Sequence, residues 1–166
     1  MTSPTDPLRE EHRHLLPHIE RLRLLADSIG RSDQESVRSG VDEAYEFLTG
    51  NLIPHAEAED KALYPMVAKF LRAPKATATM SRDHVQVGRL TAELGSLRTQ
   101  IQSGTPTALA ETDLRRVLYG LYALVSVHFA KEEEIYLPVL DENISPDEAT
   151  LMFAAMEQAA ATVSSA

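Results

Sequence analysis

A chain of 166 residues, 43% apolar and 25% charged, has the make-up of a single globular domain large enough to bury a substantial core. A formal net charge of -9 without a basic cluster argues against binding nucleic acid or an anionic membrane. The absence of cysteine excludes disulfides, zinc–thiolate sites, iron–sulfur clusters and thiol catalysis.

Glycine is scarce, β-branched runs are absent, and Ala, Leu, Glu and Arg abound, which predicts an all-α fold over one domain, residues 1–166. The opening MTSPTDPLREEHRH lacks a leader's apolar core and no apolar run approaches ~18 residues, so a cytoplasmic location is expected. The first helix is expected from Asp6-Pro7, with Asp6 as cap, to near Gly30, kinked at Pro17. A second opens on Ser32 and Glu35 at capping-box spacing and runs towards Arg72, loosened at Pro54 and Pro65. A third spans about Met80 to Gln102 and ends at Ser103-Gly104-Thr105-Pro106. The fourth runs from about Glu111 to Leu140, and the bundle covers about 7–141. Ser145-Pro146-Asp147-Glu148 then caps a short helix over about 146–161, ahead of a small-residue tail. This last helix is expected to act as a lid or a dimer contact, with Met152, Phe153 and Met156 in the core.

Each long helix carries an apolar stripe at steps of three and four. The stripes read Leu8, His12, Leu15, Leu16, Ile19 and Leu22; then Val41, Tyr45, Leu48, Leu52, His55, Glu59, Leu63 and Met66; then Met80, His84, Val87, Thr91, Leu94, Leu97 and Ile101; and last Leu114, Leu118, Leu121, Val125, His128, Glu132, Ile135 and Val139. Each stripe contains a histidine, and two contain a glutamate one turn on. Burying such groups costs several kcal/mol unless they are paired or hold a metal. The i, i+4 pairs His55/Glu59 and His128/Glu132 can each reach one point. The chain is also doubled: His12 to His55 is 43 residues and His84 to His128 is 44, HAEAEDKALYPMV mirrors HFAKEEEIYLPVL, and Pro65 and Pro138 each follow the glutamate by six. Two similar halves would offer equivalent ligands to two neighbouring metals. His12 and His55 would hold one, His84 and His128 the other, with Glu59 and Glu132 bridging. The donors suit iron, with zinc, copper or manganese as alternatives.

His14 and His18, also at i, i+4 spacing, form a rival pair to His12, but His14 falls on the polar side and His18 only flanks the apolar face, with a role beside the site as its alternative. Glu57, Asp60, Glu133 and Glu134 read as a solvated charged face, with Glu57 or Glu133 contributing field near the site as the alternative. Tyr64 and Tyr136 read as core packing, with a hydroxyl bonded near the site as the alternative.

The order His, HxxxE, His, HxxxE resembles the hemerythrin-like, or HHE cation-binding, family over about residues 8–140. The resemblance implies an up-down-up-down four-helix bundle. It also implies two iron ions held by His12, His55, Glu59, His84, His128 and Glu132 and bridged by the two glutamates and an oxo or hydroxo group. Two positions depart from the oxygen-carrying members. Those have a second histidine where this chain has Gly88, and an aspartate five residues after the fourth-helix histidine, where this chain has Glu132 at four and Glu133 at five. The missing nitrogen leaves the iron more open. It favours catalase- or peroxidase-like reaction with peroxide, nitric oxide or dioxygen over the alternative of reversible dioxygen or nitric oxide binding, storage or sensing; iron handling or regulation is a further alternative. The expected partner is a small diatomic or peroxide ligand, in a monomer or weak homodimer.

Overall fold

The computed structural model describes residues 3–104 and 106–164, and among these it contains five helical rods and no strand. They are α1 (Asp6–Ser28), α2 (residues 34–70), α3 (Ala78–Gln102), α4 (residues 108–143) and α5 (Pro146–Ser164). Among the described residues no helix is long and apolar enough to cross a membrane. Of the expected loop 103–106, Thr105 lies outside the described residues, as do the last two of the tail.

The helix ends follow capping chemistry, shifted by a residue from the sequence expectation in two places. Asp6 is the first helical residue of α1, and its carboxylate accepts from the Ser3 amide, while Thr5 occupies the cap. Asp33, not Ser32, caps α2: its carboxylate accepts the Ser36 amide at 2.9 Å and the Ser36 hydroxyl at 2.7 Å. α1 stops at Ser28 because Gly30 adopts φ +80°, a left-handed conformation that glycine tolerates. At α5 the capping box forms reciprocally. The Ser145 amide and hydroxyl donate to Glu148, whose amide donates back to the Ser145 hydroxyl. Pro17 sits inside α1 without interrupting it.

The prolines of α2 and α4 have a sharper effect. Pro54, Pro65 and Pro138 each follow a π-helical turn, over Leu48–Leu52, Glu59–Leu63 and Glu132–Tyr136 respectively. A proline withholds one amide, and a wider turn accommodates the loss with one extra residue. That residue shifts the register of everything downstream. After Glu132 the α-helical pattern places Ile135 and Val139 inward; instead Ile135 is 54% exposed and Leu137 and Leu140 are buried. After Glu59, Val67 is buried where Met66 was expected. Leu16, also expected inward, is exposed on α1.

α1 packs against α2 and α4, and α3 packs against α2 and α4. α5 lies along residues 53–63 of α2, so it covers a flank of the bundle, and Met152 and Met156 are buried there beside half-buried Phe153. The apolar interior forms two clusters. One includes Leu15, Ile19, Leu52, Val87, Val125 and Phe129; the other includes Leu8, Leu63, Tyr64, Met80, Leu137 and Met156. His12, between Leu8 and Leu15 along α1, marks the polar layer that separates them. Within the larger cluster the Thr91 hydroxyl is buried and has no hydrogen-bond partner. Thr91→Val is therefore expected to raise stability by about 1 kcal/mol, or roughly 2–4 °C in a thermal melt. A lowered melting temperature would mean that the hydroxyl contributes a bond after all.

Candidate metal centre

The polar layer is built from all four long helices. His12 comes from α1, His55 and Glu59 from α2, His84 from α3, and His128 and Glu132 from α4. The six residues singled out from the sequence lie together: Glu59 and Glu132 are 0% exposed and His84, the most accessible ring, has a side chain 9% exposed. Both glutamates begin a π turn, which places a carboxylate at the widened part of its helix.

The two carboxylates divide their oxygens between the histidine pairs. Glu59 Oε1 lies 3.0 Å from His55 Nε2 and 3.7 Å from His12 Nε2; its Oε2 lies 3.2 Å from His84 Nε2 and 3.9 Å from His128 Nε2. Glu132 Oε2 lies 3.4 Å from His12 Nε2, while its Oε1 lies 3.5 Å from His128 Nε2. Two overlapping groups of potential ligands result: His12, His55, Glu59 and Glu132, and Glu59, His84 and His128.

Every ring turns Nε2 inward because a carboxylate holds its Nδ1. His12 Nδ1 meets Glu133 at 2.8 Å, His55 Nδ1 meets Glu11 at 3.0 Å, His84 Nδ1 meets Asp60 at 2.9 Å, and His128 Nδ1 meets Asp83 at 3.2 Å. Arg9, Ser81 and Lys131 in turn bond Glu133, Asp60 and Asp83. Such partners fix the tautomer and aim of a metal-binding imidazole. Asp60 and Glu133 are thus engaged with the site rather than forming only a solvated face. Glu11 and Asp83 carried no signal read from the sequence, although one was present: each precedes a site histidine, and Asp60 and Glu133 each follow a site glutamate. The pairing crosses between helices, so Glu11, next to His12, serves His55, and Asp83, next to His84, serves His128. His14 is exposed beside Glu10, and His18 is exposed and stacked on Phe47, so neither reaches the centre.

The Tyr64 hydroxyl donates to Glu132 Oε1 at 2.6 Å, whereas Tyr136 turns away and donates to the Ala76 carbonyl. Gly88 adds no donor, and a Cβ there would meet no atom within 4 Å. Beside the centre lies a cavity of about 10 Å³ lined by Leu52, Val87, Val125 and Phe129 together with His55, Glu59, His84 and His128.

The electrostatics are those of a compact array of charges. Burial pushes the His55 ring down, but the neighbouring Glu59 charge and the bond to Glu11 override it and hold its pKa well above the ordinary value. Burial likewise opposes His84 and His128. Asp60 and Glu59 raise the first, and Glu132 and Glu59 raise the second to about 10. Burial would raise Glu59, but the His55 charge and the facing rings hold it well below the carboxylate range. Burial and the two glutamate charges push the Tyr64 phenol far up.

These bonds still leave donors over. His12 Nε2, His55 Nε2, both oxygens of Glu59 and Glu132 Oε2 are buried and have no hydrogen-bond partner. Unpartnered nitrogen and carboxylate oxygen atoms converging from four helices fit a cation site of mixed imidazole–carboxylate character.

Fold and site together define an all-helical protein with a buried histidine–carboxylate site for cations. The family model for the hemerythrin HHE cation binding domain matches residues 3–140, and the chain belongs to that family. Membership implies metal binding, with iron the implied metal. No curated protein and no solved structure matches the chain.

Proposed function

We propose that the centre holds two iron ions and reacts with a small oxidant, hydrogen peroxide, nitric oxide or dioxygen, in a catalase- or peroxidase-like manner. His12 and His55 hold one ion, His84 and His128 the other, and Glu59 and Glu132 bridge them. The observation that carries this reading is the set of five buried, unpartnered donor atoms on His12, His55, Glu59 and Glu132. Leaving them so costs several kcal/mol, and cations remove that cost. The division of each glutamate's oxygens between the histidine pairs supports bridging.

Bound iron supplies electron exchange with the oxidant. The chain's own residues govern the rest. Glu11, Asp60, Asp83 and Glu133 hold the four Nδ1 protons, which keeps the Nε2 lone pairs inward. The cavity of about 10 Å³ has room for about one water molecule, which excludes large oxidisable molecules. Its apolar lining of Leu52, Val87, Val125 and Phe129 favours one alternative, the reversible binding of neutral dioxygen or nitric oxide. The pairwise packing of α1 to α4 and their short connections support an up-down-up-down order within one domain.

Elemental analysis and the absorption spectrum of protein expressed with ample iron test the reading, followed by peroxide addition. Two irons per chain and gas evolution are expected. Oxygenation that reverses on degassing supports the alternative, and unfolding on chelation without turnover supports an iron-handling role. A folded, metal-free product sinks the proposal. Asp60→Asn is expected to weaken iron binding roughly 10–100-fold, measured by chelator competition, with helix content unchanged. Unaltered affinity would show that the carboxylate partner does not tune its ring.

A further inference from the structure

We propose that the groove between α1, α2 and α5 binds a neutral aromatic reductant of the hydroquinone class, which returns electrons to the centre through His55. The proposal rests on the peroxidase-like reading above and supplies the electron source that such a reaction needs. The cavity beside the centre has room for about one water molecule, so a reductant of ring size must bind elsewhere. The groove has a volume of about 890 Å³, within the range of roughly 300–1,000 Å³ that small-molecule sites occupy. Its lining includes Leu15, Pro54, Ala58, half-buried Phe153 and buried Met156, and such phenyl, thioether and aliphatic groups suit a flat apolar ring. Glu11 and His55 line it too, so the groove reaches a residue assigned to metal binding.

Two observations set the chemistry of the ligand. Asp60, Asp83 and Glu133, which hold the other three Nδ1 atoms, are each bonded in turn by Ser81, Lys131 or Arg9. Glu11 holds His55 Nδ1 at 3.0 Å, and among the described residues no other side chain bonds it, although its own side chain is half exposed. A carboxylate accepts up to about four hydrogen bonds, so Glu11 can take a ligand hydroxyl while it keeps His55. The second observation is charge. Among the described residues the lining carries the carboxylates of Glu11 and Glu157 and no lysine or arginine, and its His14 lies beside Glu10. In a chain of net charge -9 that rim repels anionic reductants such as ascorbate or a nicotinamide dinucleotide and accepts neutral hydroxyl donors. The hydroquinone loses two electrons and the protons of its two O–H bonds and leaves as the quinone. Two ferric ions become ferrous, and both protons pass to solvent at the groove mouth. Peroxide then takes up two electrons and two protons and leaves as two waters.

The test uses the full chain and trimethylhydroquinone, handled under argon. Calorimetry on iron-free protein is expected to show a single site per chain, with ascorbate binding roughly tenfold more weakly or worse. Ala154 is exposed on α5 and lines the groove, so Ala154→Trp would fill it. That variant is expected to lower hydroquinone affinity roughly tenfold or more, with helix content and iron uptake unchanged. Rapid mixing with oxidised, iron-loaded wild-type protein is expected to yield one quinone per two irons, at a rate that saturates with hydroquinone and falls in the variant. Absent binding to wild-type protein overturns the proposal even if the variant fails to fold. Equal affinity for ascorbate overturns it as well, and so do binding and reduction that Ala154→Trp leaves unchanged. Each of these results leaves the di-iron reading intact, whereas a folded chain that takes up no iron removes both.

Discussion

Glu59→Ala is expected to strip both irons from the purified protein, whereas His84→Ala is expected to leave about half and abolish activity. The difference follows from where the lone pairs point. Glu59 is fully buried, neither of its oxygens has a hydrogen-bond partner, and each faces a different histidine pair. Its removal takes one donor from each metal position at once. It also leaves His55, held protonated by the Glu59 charge, opposite an empty space in the metal-free chain. Breaking such a buried pair costs roughly 3–5 kcal/mol, so the variant should melt earlier as well as bind less iron. Glu59→Gln separates the two effects, because the amide fills the space but brings no charge and one poorer donor; it should retain more stability than the alanine variant yet still lose metal. His84 contributes one of only two imidazoles to one position and contacts Glu59 Oε2 alone among the glutamate oxygens. Elemental analysis beside circular dichroism reads both quantities. Equal iron contents in Glu59→Ala and His84→Ala would show that Glu59 does not serve both sides.

What the sequence carried and what it withheld have separate physical causes. The ligand faces were legible because an imidazole or carboxylate on an apolar stripe conflicts with its surroundings, and four such conflicts coincide. Register beyond Glu59 and Glu132 was not. The π turns ahead of Pro65 and Pro138 add one residue, so Met66, Ile135 and Val139 were placed inward where Val67, Leu137 and Leu140 are buried. The same slip made Tyr64 and Tyr136 look equivalent, although only the first meets the glutamate. Prolines at matched distances were the available signal, since each removes an amide that an α-helical turn requires. The outer carboxylates were hidden for another reason. Periodicity within one helix tells which way a side chain points, but not which residue of the neighbouring helix it meets. Glu11 and Asp83 lie on the shoulders of their stripes and serve rings on other helices.

Iron-free and iron-loaded protein should respond to pH in opposite directions. In the iron-free chain the folded state raises the pKa of His55, His84 and His128, the last to about 10. Raised basic groups stabilise fully below their unfolded value of about 6.5, and that contribution disappears as pH climbs through the folded values. Glu59 works from the other side: its pKa is lowered, so its contribution is present above about 4.5 and is lost as acid protonates it. Iron-free protein should therefore be most stable between about pH 4.5 and 6.5 and weaken by a few kcal/mol towards pH 9. Iron reverses the slope, because only deprotonated imidazoles bind it. Proton competition falls as pH rises, affinity grows, and the stabilisation grows with the logarithm of affinity. Thermal melts of both forms at about pH 6, 7, 8 and 9 should thus diverge steadily. Parallel curves would mean that the protons on these rings and the metal do not compete for the same nitrogens, and the assignment of His55, His84 and His128 as ligands would fail with them.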